Sequence, residues 1–255
     1  MDVTKVIEVL EAYFPLSLQE GWDNSGLQIS PKDSSIKGIL LSLDVGLDTI
    51  DEAIDNNCNL IIAHHPLIFS STKKIYKDFY PYNAIQKAIR HGIGIYAFHT
   101  NLDIAINGLN DYICKLLELE NVKIIEEYPP LRIGNLKSTM PIEEAVSYIK
   151  NKLGAECVKF VKGNSKPIKK IAICTGSCAD MVYEIKDLDF DLFLTGDLKH
   201  HTAFFAKYSG INMVDATHFH TEKFSKNILY DTLKKEINDI KLIISKKDSI
   251  PWFYK

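Results

Sequence analysis

Leu60-Ile61-Ile62-Ala63-His64-His65-Pro66 decides the fold and the site together. Its first four residues form a short apolar run, the pattern of a strand buried on both faces of a parallel sheet. The run ends on two adjacent histidines and a proline. Pro66 disfavours helical backbone at His65, which places the pair in extended or loop conformation. Neighbouring side chains diverge in extended backbone, so His64 and His65 are poorly arranged to chelate one ion together. They are well arranged to serve two ions side by side, and a two-metal site is the first expectation.

Working outward, strands and helices alternate. On the N-terminal side, Val3, Val6, Ile7, Leu10 and Phe14 form a helical stripe ended by Pro15. Gly21 to Ile29 is rich in turn formers around Trp22, and Ile36 to Val45 reads as a strand ending at Asp44. Leu47 to Asn56 reads as a helix leading to the decisive strand. On the C-terminal side, Pro81 to His91 is helical, and Ile93 to Phe98 is a strand that stops at His99-Thr100-Asn101-Leu102-Asp103. Leu109 to Leu119 is helical, and Val122 to Glu126 is a strand.

Pro129-Pro130 is the candidate domain boundary, dividing the chain into lobes at 1–128 and 129–255. The segment after about residue 222 is able to pack back on the first lobe. Beyond the boundary, Pro141 opens a helix as a first-turn proline. Strands are expected at Val158 to Val161, Ile168 to Cys174, Asp191 to Thr195 and Ile211 to Val214. Gly176-Ser177 leads into a helix near Asp180 to Ile185, and a short helix precedes Ile211. A long helix is expected over His218 to Ile237, then a strand at Lys241 to Ser245. Such alternation implies an α/β fold with mainly parallel sheets covered by helices on both faces.

Ligands of such sheets bind beyond the carboxyl ends of the strands. Four strand ends here finish in polar clusters: His64-His65, His99 to Asp103, Asp197 to His201, and Asp215 to Glu222. Seven of the eight histidines fall within them, and only His91 lies outside. A lone strand-end histidine is more often a satisfied structural residue than a ligand, and an i,i+4 His/Glu pair is usually a surface contact. Together, however, these clusters favour metal over coincidence. His218 and Glu222 project from one helical face and offer a nitrogen and a carboxylate to one metal site. His220, two residues from either, faces elsewhere. Asp103 supplies a second carboxylate. His64, His65, Asp103, His218 and Glu222 make a mixed nitrogen and oxygen set without thiolate. That set suits two divalent ions of zinc, iron, manganese or cobalt, and paired ions most naturally support hydrolysis.

Composition narrows the partners. A chain of 255 residues, 46% hydrophobic, can fill one large core or two smaller ones. Its net charge of −3 argues against a broad nucleic-acid-binding surface. No apolar run reaches membrane-spanning length, and the N-terminus does not read as a signal peptide. Five scattered cysteines read as reduced, mostly buried thiols of a cytoplasmic protein, with Cys174 and Cys178 structural.

The joint pattern of Trp22-Asp23-Asn24-Ser25-Gly26-Leu27, Ala63-His64-His65-Pro66, His99 to Asp103, Gly196-Asp197-Leu198-Lys199-His200-His201, Asp215-Ala216-Thr217-His218 with Glu222, and Asp248-Ser249-Ile250-Pro251 resembles the NGG-interacting-factor-three-like family. Its members are often called GTP cyclohydrolase I type 2 homologues. The resemblance covers nearly the whole chain. It implies two α/β/α lobes with a dinuclear metal centre between them, assembled as a homohexameric ring. The family's ligands fall on the same five residues, and His99, His200 and His201 would line the cavity. His99 or His201 is then the candidate catalytic base. Thr217 stands where many relatives have glycine, and the chain has no room for the extra domain some relatives insert. The implied activity is metal-dependent hydrolysis of a nucleotide or related metabolite by activated water. The alternative is a non-enzymatic metal-handling or adaptor protein. No glycine-rich phosphate loop accompanies the histidines, and Lys199 and Lys223 are the nearest basic residues.

Overall fold

Strands and helices interleave, without strict alternation, through the described residues, 1–253, of a computed structural model. The Asp2 carboxylate accepts from the Thr4 N–H at 2.9 Å and caps α1 (Val3–Tyr13), and Pro15 stops its continuation. There follow β1 (Gly26–Ile29), β2 (Gly38–Ser42), α2 (Leu47–Asp55), β3 (Leu60–Ala63), α3 (Tyr82–His91), β4 (Gly94–Ala97) and α4 (Thr100–Ile104). Next come α5 (Leu109–Leu116), β5 (Glu120–Ile124), β6 (Arg132–Met140), α6 (Ile142–Leu153), β7 (Lys159–Val161), β8 (Ile168–Ile173) and α7 (Val182–Ile185). The chain finishes with β9 (Leu192–Thr195), α8 (His200–Tyr208), β10 (Asn212–Asp215), α9 (His218–Glu222), α10 (Ser225–Glu236) and β11 (Lys241–Ile244).

The chain divides into two compact units. The first holds residues 1–108 and the chain from Ser225 onward. Among the described residues its sheet has five strands in the order β1-β4-β3-β2-β11, with β4, β3, β2 and β11 parallel and β1 antiparallel at one edge. Every residue of β3 is buried, as its unbroken apolar run requires. Leu40, Ile61 and Ile95 pack with Ile50, Ala53, Ala84 and Ala88 of α2 and α3 into one core cluster. Burying each large aliphatic side chain contributes about 1.5–3 kcal/mol. The register pairs Ser42 with Ala63 and Ala63 with Ala97. The chain therefore leaves all three strands at one edge, at Leu43-Asp44, His64-His65 and Phe98-His99.

The second unit spans Leu109–Phe224. Among the described residues its sheet has six strands in the order β5-β6-β8-β9-β10-β7, parallel only across β8-β9-β10. The period of two separates its faces. Ile171, Ile173, Leu192, Leu194 and Val214 enter one buried cluster, whereas Ala172, Cys174, Phe193 and Met213 enter the other. Aligned ends again release their loops together, at Thr175-Gly176, Gly196-Asp197 and Ala216 to His218.

Several expectations change. Pro129-Pro130 lies within the second unit, between the antiparallel neighbours β5 and β6, and the first break falls after Gly108. The expected helix over His218 to Ile237 is two helices, parted at Lys223-Phe224. Gly26–Ile29 and Arg132–Met140 are strands the pattern did not suggest. The first adds an antiparallel edge to the otherwise parallel first sheet. The antiparallel pairings of the second with β5 and β8, with that of β7 on β10, make the second sheet mixed rather than mainly parallel. Cys174 and Cys178 are disulfide-bonded rather than reduced, with Cα atoms 5.8 Å apart, a separation a disulfide spans. The chain turns back between them through Gly176 at φ +67°. Cys58 and Cys114 are free and buried, and Cys157 is free but exposed. Among the described residues, no helix is long and apolar enough to cross a membrane.

Candidate metal centre

In the first unit, the two histidines extend the sheet past the end of β3. The His64 N–H donates to the Ser42 carbonyl at 3.1 Å, and the His65 N–H donates to the Leu43 carbonyl at 3.0 Å. These bonds fix the backbone, and a second set fixes the rings. Nδ1 of the fully buried His64 lies 2.7 Å from the Phe98 carbonyl. A carbonyl only accepts, so Nδ1 carries a proton and Nε2 is the ring atom presented to the site. His65 Nδ1 meets Asp44 Oδ1 at 2.8 Å, and His99 Nδ1 meets Asp23 Oδ1 at 2.7 Å. All three imidazoles are thus oriented through Nδ1 by an oxygen acceptor, the arrangement that fixes tautomer and aim in metal-ligating histidines. One ring nitrogen from each of His64, His65 and His99 lies within 4.8 Å of the others, so the three could hold a metal ion. Asp103, in α4, brings its Oδ1 to 3.6 Å from His64 Nε2.

Asp23 and Asp248 build the frame. Burial would raise the Asp23 carboxyl, but hydrogen bonds from His99, Thr100 and Ser25 outweigh it and hold the group well below the usual carboxylate range. Asp23 therefore remains an anion facing His99. The Asp248 carboxylate accepts from the N–H groups of Leu43 and Asp44 at 3.1 and 3.3 Å and from Lys226 Nζ at 2.6 Å. It pins the loop that carries Asp44, which gives the Asp248-Ser249-Ile250-Pro251 motif a structural duty.

In the second unit, His218 opens α9. Its Nδ1 lies 2.8 Å from Asp197 Oδ2, and its Nε2 lies 2.8 Å from Oε2 of the buried Glu222. Burial opposes a charged imidazole there, but Glu222 and Asp197 overcome it and push His218 up to about 11. The pocket of charge around Nε2 thus favours a cation. Gly176 and Gly196 make the space: a Cβ on Gly176 would collide with Glu222 Oε1, and one on Gly196 would lie 2.7 Å from the His218 nitrogen. Thr217 sits at φ +64°, a region that favours glycine, which accounts for glycine being acceptable before this histidine. Its hydroxyl accepts from the His220 N–H at 3.2 Å and caps the helix. His220 is itself buried, with Nδ1 2.9 Å from that hydroxyl. His200 and His201 are both exposed at the start of α8. Neither joins a metal-capable group among the described residues.

Imidazoles aimed through Nδ1 so that Nε2 faces the site, beside carboxylates in surroundings that favour positive charge, fit divalent cations. Sequence spacing did not disclose Asp44 and Asp23 as acceptors for histidine, nor Gly176 as a cradle. The available signal was an acidic or small residue at the end of a neighbouring strand.

Two α/β units, each presenting histidine and carboxylate at the strand ends of its sheet, define the class. The sequence profile of the family described as Duf34/NIF3 (NGG1p interacting factor 3) matches residues 1–251, and the chain belongs to that family. A Campylobacter jejuni relative named GTP cyclohydrolase 1 type 2 homolog is 34% identical over 246 residues, covering 96% of this chain and 98% of its own. A relative of the same name from Clostridium perfringens is 32% identical, covering 99% of each. Among solved structures, a Staphylococcus aureus hypothetical protein superposes with a TM-score of 0.91 at 29% identity, covering 100% of this chain and 99% of its own. Reduced HcgD from Methanocaldococcus jannaschii gives 0.82 at 30% identity, covering 96% and 97%.

Proposed function

We propose that this protein is a dinuclear metal-dependent hydrolase acting on a nucleotide or related metabolite. His64, His65 and Asp103 of the first unit and His218 and Glu222 of the second would hold two divalent ions. The single observation that supports this most is the three-imidazole cluster, in which an oxygen acceptor aims each ring through Nδ1. Bound divalent ions would supply Lewis-acid chemistry, activating water at neutral pH and stabilising negative charge that develops on a substrate oxygen.

The chain's own residues supply the rest. His99 is better placed than His201 as the base, because Asp23 holds its ring and stabilises the imidazolium that forms when Nε2 takes a proton. The same placement also lets His99 ligate. Glu222, buried against His218, would balance cationic charge at the second half of the site. Assembly as a homohexamer in the cytoplasm belongs to this reading and rests on family membership.

The test compares wild type and Glu222→Gln, each metal-replete, for hydrolysis of GTP and generic phosphoesters. The expected result is retained fold and much of the metal with most turnover lost, because a neutral amide cannot balance two cations. Equal turnover in both proteins would show that this site does not do the chemistry. Metal bound without turnover on any of these substrates would favour the metal-handling alternative.

A further inference from the structure

Two aromatic rings stand beside His99, and the hydrolytic chemistry leaves both without a duty. The centroid of Trp22 lies 6.1 Å from that of His99, and the centroid of Phe69 lies 6.2 Å from it, with interplanar angles of 79° and 81°. Trp22 and Phe69 are 6.1 Å apart at 60°. The three rings therefore make a closed edge-to-face group, a geometry aromatic quadrupoles favour. Its two apolar members nevertheless keep more than half of their surface open, 61% for Trp22 and 53% for Phe69.

These rings are not on a loose surface. Asp23, next to Trp22, accepts from His99, Ser25 and Thr100. On the other side, the Asn24 amide donates to the Ile68 carbonyl at 2.5 Å, and the Ile68 N–H donates to Gln28 Oε1 at 3.1 Å. The Gln28 amide returns to the Asn24 carbonyl at 2.7 Å. Both aromatics are thus mounted on one hydrogen-bonded frame, directly adjoining the His64, His65 and His99 cluster. Large exposed rings on a fixed frame beside convergent polar groups are the features of a small-molecule site, because little conformational freedom is lost on binding. Their flat, polarisable faces suit a flat, polarisable ligand.

We propose that Trp22 and Phe69 form a stacking platform that holds a planar nitrogen heteroaromatic ring, of the purine class, beside His99. The proposal names the substrate class of the reading above and takes the role of the neighbouring site from it, but the platform can be tested without turnover. The chain has two tryptophans, so Trp252→Phe leaves Trp22 as the only indole reporter. Titration of that metal-loaded protein with GMP and AMP is expected to give saturable quenching, and ribose 5-phosphate, which lacks the ring, is expected to give none. In calorimetry, Trp22→Ala and Phe69→Ala should each weaken GMP binding roughly tenfold, whereas Trp22→Phe should hold it within about threefold, since a face remains for stacking. The Phe variant also covers the case in which Trp22→Ala fails to fold.

Absence of saturable quenching by either purine would overturn the proposal. So would equal quenching by ribose 5-phosphate, or unchanged GMP affinity in Trp22→Ala and Phe69→Ala. Quenching that tracks protein concentration rather than GMP would put a second copy on these rings and overturn it too. Purine binding without hydrolysis would leave the platform standing and remove only the hydrolase reading.

Discussion

At the scale of single residues, the site is organised by acceptors that need never touch a ligand. Asp44 shows this most simply. Its carboxylate meets His65 Nδ1 at 2.8 Å, and its side chain is 54% exposed, so replacing it disturbs little packing. Asp44→Asn should therefore leave thermal stability nearly unchanged. An asparagine can present its amide nitrogen to Nδ1 and stabilise the other tautomer, which turns a protonated Nε2 toward the metal. The expected loss is roughly 10–100-fold in metal affinity, the usual range for such outer partners. Competition with a chelating dye measures it, and unchanged affinity would show that His65 is not held for a metal. Glu118 carries the pH-dependent counterpart on the surface. Hydrogen bonds from Lys137 and Lys152 lower its carboxyl from 4.5 to about 2. A depressed carboxyl stabilises the fold above its unfolded value, and that stability is lost as the pH falls through the folded value. Wild type should thus exceed Glu118→Gln in urea midpoint above pH about 4.5, and the gap should close as the pH falls towards about 2. The gap itself should be small, because water screens exposed pairs.

Elements matter where their ends must meet. The loop leaving β8 is braced on three sides. The Thr175 N–H donates to Asn110 Oδ1, the Gly176 N–H donates to Thr221 Oγ1, and the Gly176 carbonyl accepts from the Gly196 N–H. Gly176→Ala adds strain at φ +67° and a collision with Glu222, whereas Gly210→Ala adds strain at φ +73° in open space. Gly210→Ala should cost about 1–2 kcal/mol. Gly176→Ala should cost more and should also weaken metal binding; equal losses in the two proteins would mean that Glu222 yields freely. Such strand-end chemistry was legible in the sequence because buried apolar runs stop abruptly at polar clusters, as Leu60 to Ala63 stops at His64. β6 was not legible, since Arg132-Ile133-Gly134-Asn135-Leu136 reads as mixed and polar. Arg132 is nevertheless fully buried, its charge met by Asp111, and a partner distant in sequence hides that burial from any local pattern. The break between α9 and α10 also escaped, because Lys223-Phe224 contains no residue that stops a helix. Thr217 at φ +64° is a related case: backbone imposed by the surrounding loop overrides a β-branched side chain's preference.

For the whole molecule, the proposed ligand set makes a demand that neither unit meets by itself. His65 belongs to the first unit and His218 to the second. If both serve one dinuclear centre, the loss of either should lower metal content from about two ions per chain and weaken what remains. A ligand that binds only the folded state adds stability by mass action, about 2.7 kcal/mol at a hundredfold excess over its Kd. Chelation should therefore lower the melting temperature of wild type, and restoring zinc or manganese should raise it again. His65→Ala and His218→Ala should each blunt that rise while keeping a metal-free melting temperature close to that of metal-free wild type. Elemental analysis of protein purified without chelator gives the content, and scanning calorimetry with and without added metal gives the shift. Two independent sites would give a different pattern: each substitution would remove one ion and leave the other bound with unchanged affinity. Full metal content in both variants would show that the five-residue ligand set is wrong.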